Sequence, residues 1–150
     1  MMSFPIKFIA DAMLGRLAKR MRLLGIDVFY DSCLNDNEII RLSLEQDRII
    51  LTRDKALSLR PLAINHLFIK SERVGEQLQQ VLSSFLIKAV SFTRCSECNE
   101  PLVSIAKNEV RDLVPWYVYE KYIVFFQCPQ CNRIYWPGTH IKKMELQKLK

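Results

Sequence analysis

Over the first ninety positions the apolar residues switch repeatedly between two rhythms. Phe8-Ile9-Ala10 is a short continuous apolar run that stops at Asp11. Leu14, Leu17, Ala18, Met21 and Leu24 then recur at i, i+3, i+4, i+7 and i+10, one apolar stripe of a helix. Gly25 follows, in the position where a glycine commonly ends a helix. Residues 26–30 read as a second strand that stops at Asp31. Asn35 and Glu38 have the spacing of a capping box and predict a helix start, with Ile39 and Leu42 on its buried side. Residues 48–52 predict a third strand, followed by Arg53-Asp54 and a helix or turn up to Pro61. Residues 66–70 predict a fourth strand, and Val74, Leu78, Val81, Leu82 and Phe85 a further helix. This βαβαβαβα order implies an α/β fold: a Rossmann-like parallel sheet with helices on both faces and all strand C-termini on one edge.

Near position 90 the texture changes. Residues 117–126 are aromatic and β-branched and read as strand. Pro115, Pro129 and Pro137-Gly138 punctuate this region, and Ile141, Met144 and Leu149 suggest a short amphipathic helix over the last ten residues. The expected organisation is therefore an α/β unit over 1–90 and a small β-rich unit over 91–150.

Four of the five cysteines fall in that second unit, as the C-x-x-C pairs Cys95–Cys98 and Cys128–Cys131. Each pair suits a tight knuckle with both sulfurs aimed at one ion, and two knuckles complete a tetrahedral zinc site of the ribbon type, with a hairpin between them. A closed four-cysteine site is structural and supplies stability that about sixty residues cannot draw from a core alone. Redox motifs or free thiols are the competing reading, but a redox C-x-x-C belongs at a βα junction. Cys33 stands apart and is expected to be a small buried apolar group.

Composition narrows the class. An apolar share of 49% with 25% charged residues suits a soluble globular protein, and no stretch approaches the ~18 apolar residues of a membrane span. The N-terminus lacks a basic region and a small-residue cleavage site, so a cytoplasmic protein is expected. The net charge of +6 is divided evenly, +3 in residues 1–90 and +3 in the remainder. Such an excess is compatible with nucleic acid without specifying it. Four thiolates around Zn²⁺ sum to −2, which brings the second unit nearer to +1.

Asp11, Asp31 and Asp54 each follow a predicted strand and Asp36 opens a helix, so all four belong to one edge of the expected sheet. Clustered carboxylates repel unless a cation joins them. Mg²⁺ takes one or two carboxylates, keeps several waters and accepts phosphate oxygens, which points to phosphodiester hydrolysis. Arg16, Lys19, Arg20 and Arg53 suit flanking phosphates. A second reading stands beside this one: Asp11 and Asp54 as helix caps, Asp31 as a loop acid, and residues 16–22 as a solvated helix face.

Several stretches together resemble the mut-seven C-terminal ribonuclease-domain family. They are Phe8-Ile9-Ala10-Asp11-Ala12-Met13-Leu14-Gly15-Arg16, Leu23-Leu24-Gly25-Ile26-Asp27, Asn35-Asp36-Asn37-Glu38, Arg48-Ile49-Ile50-Leu51-Thr52-Arg53-Asp54, Cys95-Ser96-Glu97-Cys98-Asn99 and Tyr135-Trp136-Pro137-Gly138-Thr139-His140. The resemblance covers nearly the whole chain. It implies a PIN-like domain followed by a zinc ribbon, and a ribonuclease dependent on Mg²⁺ or Mn²⁺. It maps the catalytic acids onto Asp11, Asp36 and Asp54, with Glu38 and Asp31 as candidate supporting acids. RNA, in single-stranded form, is the expected partner. Arg133, Tyr135, Trp136 and His140 of the ribbon suit an extension of the RNA surface, since aromatic faces stack on unpaired bases; packing of the ribbon against the first unit is the competing role and the favoured one for Trp136. The alternatives are a non-catalytic RNA- or protein-binding module and a phosphohydrolase acting on small molecules.

Overall fold

Side chains alternate along a strand, and that alternation divides the core of the α/β unit into two layers. The computed structural model describes residues 5–88 and 93–138. Strands β1 (Lys7–Ala10), β2 (Asp27–Phe29), β3 (Arg48–Thr52) and β4 (His66–Phe68) form a parallel sheet in the order β2-β1-β3-β4. Phe8, Ala10 and Leu51 pack on one face against α1 (Gly15–Leu23) and α4 (Val74–Phe85), through Leu17, Met21, Leu78 and Val81. Ile9 and Ile50 pack on the other against α2 (Asp36–Gln46) and α3 (Lys55–Ser58), through Ile39, Ile40 and Leu57. Each buried aliphatic side chain of this kind contributes roughly 1.5–3 kcal/mol, so neither face is left to solvent. Helices do flank both faces, as the alternating pattern implies.

Local signals operate where expected. All five residues of the first apolar stripe are buried, and Gly25 follows the helix at φ 84°, a conformation natural only to glycine. The capping box closes in both directions, Asn35 Oδ1 accepting from the Glu38 N–H at 2.9 Å and Glu38 Oε2 from the Asn35 N–H at 3.1 Å. Strands two and four are shorter than expected, ending at Phe29 and Phe68.

The second unit differs more. Strands β5 (Val103–Ile105), β6 (Phe125–Gln127) and β7 (Ile134–Tyr135) form an antiparallel sheet. Half of the expected strand over 117–126 is helix: α5 spans Trp116–Lys121, and only the last two positions, 125 and 126, enter β6. Pro115 fixes the helix entry, Val118 and Tyr122 point four residues apart into a small core with Val110 and Phe125, and Trp116 stacks on Tyr119 at 5.7 Å. Tertiary packing at helical spacing overrides the β propensity of these side chains. A single hairpin does not join the knuckles. The β6–β7 hairpin carries the second knuckle itself, while β5 and α5 lie between the two. The amphipathic helix expected over 141–150, and His140, lie outside the described residues.

The two sheets meet along β2, the edge strand. Asn99 receives the Val28 N–H at 3.2 Å and donates to Asp27 Oδ1 at 2.7 Å. Arg94 Nε donates to the Gly25 carbonyl at 3.3 Å, and Lys19 pairs with Glu97 at 3.1 Å.

Candidate functional site

The chain leaves β1 outward to β2, then crosses back past β1 to β3. The winding direction therefore reverses between β1 and β3, and the crevice beyond their carboxyl ends is where open α/β sheets hold ligands. Asp11 is the first residue after β1 and is 5% exposed. Its Oδ1 accepts from the Met13 N–H at 3.0 Å and its Oδ2 from the Thr52 hydroxyl at 2.5 Å. The same hydroxyl accepts from the Asp54 N–H at 2.9 Å. Thr52, fully buried at the end of β3, thus links the two acids. Asp54 Oδ1 caps α3 by accepting from the Ala56 N–H at 2.9 Å.

The capping roles are real, but they do not use up the carboxylates. Each offers about four lone-pair positions, and among the described residues two are taken on Asp11 and one on Asp54. Asp36 opens α2 at the same edge. Because Asn35 and Glu38 satisfy the helix start, its carboxylate makes no hydrogen bond or ion pair among the described residues. Glu38 gives one oxygen to the capping box, and Asp31 accepts from the Cys33 N–H at 2.9 Å in an exposed turn; like Asp54, each keeps its other oxygen without a bond among the described residues. Asn37 accepts from Arg60 at 2.6 Å. Among the described residues no three carboxylates bring oxygens within 4.8 Å of one another. A hard divalent ion that keeps several waters does not require that they should.

The basic residues divide. Arg16 and Arg20 have no anionic partner among the described residues. Lys19 is paired with Glu97, and Arg53 donates to the Ile69 carbonyl at 3.2 Å and lies 3.7 Å from Glu72. Arg22 departs from the expected solvated face: it is buried. Cys33 is exposed rather than buried. Beside the rim, Tyr30 donates to the Ala12 carbonyl at 3.0 Å, and its ring lies so close to Gly15 that a Cβ there would sit 2.8 Å from the phenol oxygen.

The four cysteines do converge. Their sulfurs all lie within 4.8 Å of one another, and Cys95 Sγ is 3.7 Å from Cys131 Sγ. A tetrahedral ion with Zn–S of about 2.3 Å separates its sulfurs by about 3.8 Å. The distance and the all-sulfur donor set fit Zn²⁺. Burial raises the Cys95 thiol, but hydrogen bonds from Tyr135, the Cys98 and Glu97 amides and Cys131 outweigh it and bring it to about 7. Burial and its sulfur neighbours push Cys98 up to about 12. Zn²⁺ takes all four as thiolates, so binding displaces protons.

The ribbon aromatics are engaged within the fold. Tyr135 Oη lies 3.0 Å from Cys95 Sγ and accepts from the Ser96 N–H at 3.1 Å; burial and the Cys95 contact raise its phenol to about 12, against the lowering by Ser96. Trp136 packs on the small core of the second sheet, while Arg133 is exposed. Thr52, Arg22 and Asn99 escaped the sequence reading as functional residues. For Thr52 the available signal was a short hydroxyl side chain two positions before a strand-end acid.

Neither a curated protein nor a solved structure matches the chain. The family model described as "Mut7-C RNAse domain" matches residues 6–147, a span that takes in both sheets, the acid rim and all four clustered cysteines. With nearly its whole length matched, the chain belongs to the Mut7-C RNAse domain family.

Proposed function

We propose that this chain is a metal-dependent ribonuclease that hydrolyses RNA phosphodiesters at the rim above β1 and β3, with Asp11, Asp36 and Asp54 as ligands of Mg²⁺ or Mn²⁺. The observation that carries this reading is the Asp11–Thr52–Asp54 linkage at the crevice of a chain in an RNase-domain family. The ion, when bound, supplies charge for the phosphoryl oxygens and an acidified water. Two donors already fix the Asp11 carboxylate, so it meets a cation without reorganising. Asp36 brings an unspent negative charge at a helix start, and Asp54 keeps one oxygen free of the cap. Arg16 and Arg20, without anionic partners, hold the phosphates of a single-stranded substrate. Glu38 and Asp31, each with one carboxylate oxygen outside its turn contact, are the supporting acids. In this reading residues 1–90 carry the reaction, residues 91–150 form the zinc ribbon, and the protein works in the cytoplasm.

The test is incubation of end-labelled single-stranded RNA with the protein in Mg²⁺ or Mn²⁺, with and without EDTA. Cleavage by the wild type should vanish with EDTA and in Asp11→Asn and Asp54→Asn, while RNA binding persists. A second reading, a non-catalytic binding module, draws on the capping bonds of Asp11 and Asp54. It is the one left standing if RNA is bound but never cut.

A further inference from the structure

Arg22 is the one cation of α1 that is withdrawn from solvent, 6% exposed, and its contacts are unusual for a helix-face arginine. Its Nε donates to the Val28 carbonyl of β2 at 2.9 Å. Its Nη1 donates to the carbonyls of Ser96 at 2.9 Å and Glu97 at 3.3 Å, the two residues between Cys95 and Cys98. One guanidinium therefore ties the first helix, the edge strand and the first cysteine knuckle together. A buried charge is costly unless hydrogen bonds and opposite charge compensate it. The carbonyls supply the first. Burial lowers the Arg22 guanidinium below its ordinary value, and the negative charge of Cys95, Glu97, Cys98 and Asp27 offsets part of that.

Val28 shows what the contact achieves. It lies on the edge strand, and both its backbone groups are taken by side chains: the C=O by Arg22 and the N–H by Asn99 at 3.2 Å. Asn99 itself stands at φ 63°, and its own N–H closes the knuckle onto the Cys95 carbonyl at 2.9 Å. The side chain that covers the strand is thus positioned by the turn that carries two of the four sulfurs.

We propose that Arg22 is a positioning residue for the metal centre, coupling zinc occupancy of the four-cysteine cluster to closure of the β2 edge of the parallel sheet. A tetrathiolate around Zn²⁺ carries a charge of −2, and Arg22 supplies a buried positive charge across the knuckle carbonyls. Zinc holds the knuckle in the shape that presents the Ser96 and Glu97 carbonyls to Arg22 and the Asn99 side chain to β2. By linkage, contacts that zinc strengthens must in turn strengthen zinc binding. The proposal is independent of the nuclease reading, because no catalytic acid enters it.

The experiment uses the full zinc-loaded chain and two readouts. Zinc transfer to a chromogenic chelator should be favoured at least about tenfold in Arg22→Met, the range seen when a partner outside the ligand set is lost. Arg22→Lys, which keeps the charge but loses the fork, should fall between. Amide hydrogen exchange of residues 26–30 should rise in the wild type after chelation, to the level of zinc-loaded Arg22→Met, while exchange of residues 48–52 in the sheet interior stays slow. If Arg22→Met does not fold, Arg22→Lys replaces it: zinc transfer should still be favoured over the wild type and exchange of residues 26–30 should rise in the zinc-loaded protein, and a variant unchanged in both overturns the proposal. Zinc transfer unchanged within twofold in Arg22→Met, or exchange of residues 26–30 unaffected by chelation, overturns the proposal.

Discussion

Replacing Thr52 by valine keeps the shape of the side chain and removes only its hydroxyl. Two hydrogen bonds go with it: the one donated to Asp11 Oδ2 and the one accepted from the Asp54 N–H. The first involves a carboxylate and is worth about 1.5–3 kcal/mol; the second, between neutral groups, about 0.5–1.5 kcal/mol. Asp11 is 5% exposed and Thr52 is fully buried, so water cannot readily replace either bond. The expected loss is about 2–4.5 kcal/mol, a large fraction of the stability of an ordinary domain. Thr52→Ser keeps the hydroxyl and should lose about 1 kcal/mol, the value of a buried methyl group. Urea denaturation followed by circular dichroism measures both, on zinc-loaded protein with zinc present throughout. In the cleavage assay Thr52→Val should lose activity beyond its loss of folded fraction, because Asp11 would no longer be held. A Thr52→Val protein as stable as wild type, or one less affected than Thr52→Ser, refutes the view that this hydroxyl organises the rim.

Gly15→Ala should destabilise by up to about 2 kcal/mol, an overpacking cost of about 1–3 kcal/mol set against the roughly 1 kcal/mol that alanine gains over glycine in a helix, because its Cβ would sit 2.8 Å from the Tyr30 hydroxyl and 3.0 Å from Cζ. Tyr30→Phe in the same background should recover part of that loss, and thermal melts of the two variants decide the point. Burial raises the Asp27 carboxyl, but hydrogen bonds from Arg48 and Asn99 and the charges of Arg48 and Arg94 outweigh it and hold it below its ordinary 3.8. A depressed carboxylate contributes stability that is complete above its unfolded value and is lost as pH falls through the folded one. Acid unfolding below about pH 4 should therefore be less steep in Asp27→Asn than in wild type; equal slopes would remove Asp27 from the account. Elemental analysis should find one zinc per chain, falling below that in Cys128→Ser together with a lower melting temperature.

Much of the α/β unit was legible because its local signals agree with its tertiary demands. The stripe from Leu14 to Leu24 is the face that α1 buries, Gly25 stands where the chain needs positive φ, and Asn35 with Glu38 makes the capping box that their spacing implies. The paired cysteines were equally plain, since ligand spacing is a property of the chain itself. The helix at Trp116 was not, because its side chains favour strand in isolation and only the small core around Val110 and Phe125 selects the helical spacing. Nor was the burial of Arg22 legible. Its partners lie six and more than seventy positions away, and nothing in the run Arg20-Met21-Arg22 distinguishes the arginine that faces solvent from the one that does not. At the rim, spacing could assign the acids to one edge, but Thr52 joins Asp11 to Asp54 only through the β1–β3 pairing.

The strand Asp27–Phe29 is finished by a residue that the ribosome delivers about seventy positions later. The four parallel strands are all synthesised by Phe68, yet the outer flank of this one waits for Asn99 and its knuckle. During that interval a nascent chain offers an open strand to any neighbour emerging nearby, the circumstance in which strand-to-strand association begins. Under the proposed coupling, metal supply during translation should bear on the yield of usable protein, and zinc-starved cells should accumulate this chain as aggregate rather than as soluble apoprotein.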